Sequence, residues 1–263
     1  MTDSQHQTSD WSLLVAQAVK ILQERWWKIE TEKPYVDPNT GVVRHIDIFA
    51  INKIEIPTSS RSLLRKPFSF EIRLFIECKY IKEEVILHSR LSDDERSMRA
   101  FKELWIYSDI YDEKKWVKSN PKHPYLSTQR VIWSTSDNGP RWFGKSAVIQ
   151  ACQGILSESI RSSNNYSITY PIIIGSHSER IKIRLEDGTE CEYSYPQYFD
   201  HAYMHPRKNI EWIFLPNLVP INYLEFFLME KALELMSIKE DITQFEFNRQ
   251  VYFNEEHDYQ PLY

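Results

Sequence analysis

Apolar side chains near the start of the chain fall at positions 11, 14, 15, 18, 22 and 26. That is the spacing of a helix with one buried stripe, and it predicts a helix over 10–27 with Asp10 as its N-cap. From residue 28 the period changes. KIETEKPYV (28–36) alternates and stops at DPNTG, a turn cluster containing Pro38 and Gly41. VVRHIDIFAINKI (42–54) is β-branched and strand-like, and IPTSSRSLLRKP (56–67) reads as a loop. FSFEIRLFIECKYI (68–81) alternates cleanly: Ile72, Leu74, Ile76 and Cys78 face one way, and Glu71, Arg73, Phe75, Glu77 and Lys79 the other. The opening order is therefore one helix and three strands.

The pattern is less regular over 82–140. DDERSMRAFKELWIYSDIYD (93–112) has a helical period, and KKWVKSNPKHP (114–124) is a basic loop broken by prolines. KSAVIQACQGILSESIR (145–161) predicts a helix over 146–160. YSITYPIIIGSH (166–177) reads as a buried strand, and RIKIRLEDGTECEYSY (180–195) as a hairpin turning at Asp187-Gly188. IEWIFLPNLV (210–219) reads as one further strand. INYLEFFLMEKALELMSIKED (221–241) reads as an amphipathic closing helix, and 252–263 as a polar, aromatic tail. No internal repeat interrupts this order. The expectation is one α/β domain over 1–263, with a helical or loop insertion at 82–140 and a C-terminal elaboration at 177–263.

Composition narrows the function classes. With 42% apolar and 26% charged residues, the 263-residue chain resembles an ordinary soluble domain. No run approaches the length of a membrane span, and MTDSQHQTSD lacks the layout of a signal peptide. Cys78, Cys152 and Cys191 are far apart and show no metal-ligand spacing, so the expected setting is a reducing cytoplasm. The net charge of −5 divides unevenly, with +3 in residues 1–150 and −8 in 151–263. A polyanion would therefore meet the first half, where Arg61, Arg65, Lys66, Lys114, Lys115, Lys118 and Lys122 could line a groove.

Two short motifs invite chemistry and fail on inspection. GPRWFGKS, Gly139 to Ser146, matches the phosphate-loop pattern G-x-x-x-x-G-K-[ST]. Its variable positions are Pro140, Arg141, Trp142 and Phe143, which remove a backbone donor and crowd a loop that must wrap phosphate closely. No apolar run ending in aspartate follows to hold magnesium, so the match reads as a coincidence. His201 and His205 have the spacing of zinc ligands on a helix. The adjoining YPQYFD and MHPRK argue for a loop instead, and the glutamate of the zinc-protease motif is absent.

The remaining signal is charge inside apolar strands. Asp47 lies within RHIDIFA, and Glu77 and Lys79 within FIECKY. Charge in such places costs stability unless it has a partner or a task. Glu77 and Lys79 are two apart and share a face. If 42–54 pairs antiparallel with 68–81, Asp47 reaches the same spot. Two carboxylates suit a hard cation such as Mg²⁺, and a charged lysine can orient water or offset developing negative charge.

This arrangement resembles the signature of the PD-(D/E)xK nuclease superfamily, in which an acid on one strand precedes an acid-x-Lys on the next. Asp47, then Glu77 and Lys79, match it, with Ile46 in place of the proline. The order helix, three strands, helix, strand over roughly 10–80 and 142–176 also resembles the family's restriction-endonuclease-like core, a mixed β-sheet flanked by helices. The resemblance implies a DNA-cleaving enzyme using Mg²⁺, for which Mn²⁺ may substitute. Asp47 and Glu77 would be metal ligands, the Cys78 backbone carbonyl an added one, and Lys79 the group that positions water. It further implies an acid from the first helix or nearby, for which Glu24, Glu30 and Glu32 are candidates. Gln150 and Gln153 would lie on a helix facing the site. DNA is the implied partner, with a homodimer or a larger nuclease complex as the assembly. A noncatalytic nucleic-acid-binding or assembly subunit with the same fold is the alternative.

Overall fold

The computed structural model describes residues 3–37, 39–56, 68–91, 130–135, 141–159, 166–193, 197–199, 201–205, 210–214 and 216–233. Helix α1 (Asp3–Glu24) leads into strands β1 (Lys28–Val36), β2 (Val43–Ile56) and β3 (Phe68–Lys79), as the periodicity predicts. Strands β4 (Val85–Leu91) and β5 (Arg130–Thr135) follow, then helix α2 (Arg141–Ser159) and strand β6 (Tyr166–Gly175). Short strands β7 (Ile181–Arg184), β8 (Glu190–Glu192), β9 (Gln197–Phe199), β10 (His201–His205), β11 (Ile210–Phe214) and β12 (Asn217–Pro220) complete the sheets. A final helix, α3, occupies 224–233.

Among the described residues one ten-stranded sheet runs β1-β2-β3-β6-β12-β9-β5-β4-β7-β8, and β10 pairs with β11 in a separate ribbon. The large sheet is mixed. β1, β2 and β3 are antiparallel neighbours, whereas β6 runs parallel to both β3 and β12. Helices cover both faces. Leu14, Ala18 and Leu22 of α1 and Leu224, Phe227 and Leu228 of α3 bury one face through Ile48, Ile72, Leu74, Ile76 and Cys78. Val148, Cys152, Ile155 and Leu156 of α2 bury the other through Ile46, Phe49 and Phe75. The α/β expectation of a mixed sheet flanked by helices is therefore met.

Several boundaries differ from expectation for physical reasons. Helix α1 begins at Asp3 and passes through Asp10, which is not its cap. It ends in a Schellman arrangement, with Trp27 N–H on Leu22 O at 3.1 Å and Trp26 N–H on Gln23 O at 3.0 Å. Trp26 takes the left-handed position, φ 64°, that glycine usually occupies there. It is 90% exposed, and Trp27 enters the core in its place.

The 82–140 segment is not only helix and loop, because β4 and β5 at its ends join the main sheet. The predicted single strand over 210–219 is two strands in different sheets. They divide beside Pro216, which has no N–H to give a ladder. His201 and His205 lie on strand β10, not in a loop, where four residues span about 13 Å. The helical zinc-ligand spacing is thus not formed.

α2 already includes Arg141 to Ser146, so that part of the GPRWFGKS segment is helical where a phosphate loop would curl. The helix predicted for 93–112, the basic loop at 114–124, and Arg61, Arg65, Lys66, Lys114, Lys115, Lys118 and Lys122 lie outside the described residues. So do Gly139, Pro140 and the end of the closing helix after 233. Among the described residues no helix is long and apolar enough to cross a membrane.

Candidate active site

The β2–β3 ladder runs from Ile56 opposite Phe68 to Ile48 opposite Ile76, and there it ends. At the next position a side chain takes over from the backbone. Asp47 Oδ2 accepts the Cys78 N–H at 2.7 Å and the Trp11 indole N–H, from α1, at 3.4 Å. The ladder on the other side of β2 is interrupted at the same point. Thr31 pairs with Ile48 and Lys33 with Ile46, but the rung joining Glu32 to Asp47 is missing. Glu32 has φ 50°, left-handed backbone that costs a non-glycine residue on the order of 1–3 kcal/mol. The sheet is thus opened at Asp47 on both sides.

Glu77 sits on β3 beside this opening, only 2% exposed, and its face of the strand turns toward α2 with Phe75. Lys79 Nζ stands 3.6 Å from Glu77 Oε2. Burial, then the charge and hydrogen bond of the neighbouring Asp47 carboxyl, push Glu77 up to about 8 despite the Lys79 ammonium. Burial likewise raises Asp47, and Glu32 adds to the rise, against the Cys78 amide, Lys79 and Trp11. Two desolvated carboxyls in contact cannot both ionise cheaply, so the pair tends to hold one proton between them. Asp47, Glu77 and Lys79 are therefore brought together, as their positions in the sequence imply.

The other candidates separate. Of the three additional acids, Glu32 adds its charge to Asp47. Glu24 is exposed and pairs with Lys20 at 3.9 Å, and Glu30 pairs with Lys33 at 3.8 Å. Gln153 is buried, yet its amide donates to Asp37 Oδ1 at 3.2 Å and not to the carboxylate pair. Gln150 is partly exposed on the same helix. Cys78 turns its side chain into the α1 face, and burial, then Asp47 and Glu77, raise its thiol far above the usual range. It is no nucleophile.

Residues that the sequence reading left in a turn or a polar strand complete the surroundings. Asp37 is 2% exposed and takes four donors: Asn39 N–H and Gln153 on Oδ1, Thr40 hydroxyl and Arg44 Nε on Oδ2. Burial alone would raise it, but the Asn39, Thr40 and Arg44 bonds outweigh that and hold it below its usual range. Tyr35, two residues earlier, is buried in the cluster that holds Ile46, Phe75 and Cys152. The one signal in the sequence for Asp37 is its place before Pro38, which marks a turn and says nothing of burial.

Among the described residues no three His, Cys, Asp or Glu side chains cluster as a metal site. A pair is enough for one class of ion, since Mg²⁺ binds through one or two carboxylates and keeps its remaining oxygens from water or phosphate. Asp47 and Glu77 fit that class: both are hard oxygen donors, and a cation would offset the burial and the repulsion that make Glu77 hold its proton. Compared with known proteins, the chain matches no family model, no curated sequence and no solved structure.

Proposed function

We propose that the protein is a metal-dependent nuclease that hydrolyses DNA phosphodiester bonds, with a restriction-endonuclease-like core. The observation that carries this reading is the buried Glu77 beside the half-buried Asp47, with Lys79 next to them, where the β-ladder opens. Three charges in two apolar strands cost stability, and their convergence gives that cost a use. Asp47 and Glu77 would hold Mg²⁺, with the Cys78 carbonyl as a further oxygen and Mn²⁺ as a substitute. When bound, the ion supplies positive charge to the phosphoryl oxygens.

The chain's own groups then have distinct tasks. Lys79 is a hydrogen-bond donor and not a metal ligand; it holds the water for in-line attack and offsets charge that builds on the phosphate. The Cys78 amide and Trp11 indole keep Asp47 turned toward the site. Glu32, strained and opposite Asp47, is the acid placed to add a third carboxylate. Incubating the pure protein with plasmid DNA and Mg²⁺ or Mn²⁺, with EDTA as control, tests the reading. Nicking or linearisation that EDTA stops, and that Asp47→Ala and Glu77→Ala abolish, is the expected result. DNA binding without cleavage in either metal would make the protein a noncatalytic binding subunit.

A further inference from the structure

Among the described residues the Tyr35 hydroxyl and Glu77 Oε1, on the α2 side of the sheet, are buried polar atoms with no hydrogen-bond partner. Their residues are 4% and 2% exposed, so bulk water does not serve them. Leaving each alone is costly, which makes the coincidence demand an account. Both side chains enter one cluster region. Tyr35 belongs to the buried cluster that holds Phe75, Ile46 and Cys152, and Glu77 follows Phe75 by two residues on the same face of β3.

The chemistry of the neighbours narrows what the Tyr35 proton can meet. Both oxygens of Asp37 already accept two donors each. Arg44 and Lys79 only donate, and a thiol such as Cys152 is a weak acceptor. Glu77 Oε2 stands on the side held by Lys79. The open acceptor is Glu77 Oε1. We propose that Tyr35 is a positioning residue whose hydroxyl donates to Glu77 Oε1 across a single buried water and so fixes the rotation of that carboxylate. Burial, then the charge of Glu77, hold the tyrosine proton on well above its ordinary range, so the hydroxyl remains a donor at any working pH. With Oε1 held from the α2 side, Oε2 is the oxygen presented to Asp47 and Lys79. Only this last consequence, for metal binding, rests on the nuclease reading.

The test is a double-mutant cycle in urea with Tyr35→Phe, which keeps the ring, and Glu77→Met, which keeps length without an acceptor. Tyr35→Phe should raise the unfolding constant about fivefold in the native background and less than twofold beside Glu77→Met. Equal effects in the two backgrounds would overturn the bond. Should Glu77→Met fail to fold, proton NMR reads the same contact. A slowly exchanging hydroxyl resonance that Tyr35→Phe removes supports it, and its absence from the native protein refutes it. In cleavage assays Tyr35→Phe should raise the Mn²⁺ needed for half-maximal rate by about tenfold, a larger change than any at saturating Mn²⁺. An unchanged Mn²⁺ requirement in an active enzyme would remove the positioning role. A native protein that neither binds Mn²⁺ nor cleaves would end the nuclease reading while the cycle still decides the bond.

Discussion

The amide of Cys78 and the carboxylate of Asp47 are joined at 2.7 Å across the point where β2 and β3 cease to pair. A side chain supplies the acceptor that the neighbouring strand no longer provides. This fixes the Asp47 carboxylate beside Glu77 and leaves the sheet open in front of it. The same contact makes Asp47 a structural as well as a chemical residue, and the two roles can be separated.

Asp47→Asn keeps an oxygen for the Cys78 and Trp11 donors and removes only the charge. Asp47→Ala removes both. Since both variants lose the desolvated charge, their difference isolates the bonds. Asp47→Ala should be less stable than Asp47→Asn by about 1–3 kcal/mol in urea denaturation, the cost of leaving a buried N–H unpaired. Both should be inactive in cleavage. Equal stability of the two variants would show that Cys78 finds another acceptor.

The proton on Glu77 links stability to pH. The folded chain holds that proton to about pH 8, and an unfolded glutamate releases it near 4.5. Between these values the folded state carries the additional proton, so its stability falls as pH rises. The contribution is full below 4.5 and lost by the time pH passes 8, at a slope approaching ~1.4 kcal/mol per unit. The difference between native protein and Glu77→Gln, without metal, should therefore decline from pH 5 to 8. Asp37, held below its usual range, loses its contribution only at more acidic pH, outside this window. Metal affinity should rise over the same window by up to about tenfold per unit, with proton release measurable by calorimetry in two buffers. A flat difference curve would show Glu77 ionised in the free protein.

What the sequence discloses follows from how local each cause is. Ile72, Leu74, Ile76 and Cys78 alternate with Glu71, Arg73, Glu77 and Lys79 because β3 is a single straight element with two different faces. Asp47 and Glu77 stand out because charge in an apolar strand is visible without knowing the fold. Trp26 misled because a tryptophan occupies the left-handed helix end where glycine would have marked the stop. The strand ending at Phe214 and the one starting at Asn217 read as one because only Leu215 and Pro216 divide them. Asp37 resembled turn material, and its burial depends on Gln153, 116 residues away. Tyr35 lay in a mostly polar strand, and only packing against α2 makes its hydroxyl informative.

Gly154 is where α2 comes close to the sheet. A Cβ there would meet Ile46 Cδ1 at 1.9 Å and Phe75 Cδ1 at 3.0 Å, both on buried side chains. Gly154→Ala should therefore destabilise by about 1–3 kcal/mol through overpacking, less the ~1 kcal/mol that alanine gains in a helix. Ile46→Val deletes the atom in closest conflict, so the double variant should recover most of the loss. Denaturant midpoints of the four proteins decide this. A stabilised Gly154→Ala single variant would mean that α2 sits farther from β2.

Lys79 separates binding from chemistry. Its ammonium is 3.6 Å from Glu77 Oε2 and favours the ionised carboxylate. Lys79→Ala should therefore have two effects that pH pulls apart. Near pH 7 Glu77 would hold its proton more firmly, and metal would bind more weakly than in the native protein. Above the new pKa the carboxylate is ionised in both proteins, and metal affinity should converge. The cleavage rate should not converge, because the group that positions water and offsets charge is still missing. A loss of about 10²–10³ in single-turnover rate should persist at alkaline pH and saturating Mn²⁺, the scale of one preorganised electrostatic group. Binding of a labelled duplex in Ca²⁺ should survive the substitution and serves as the check on folding. Full recovery of rate at high pH would reduce Lys79 to a regulator of Glu77 and remove it from the chemical step.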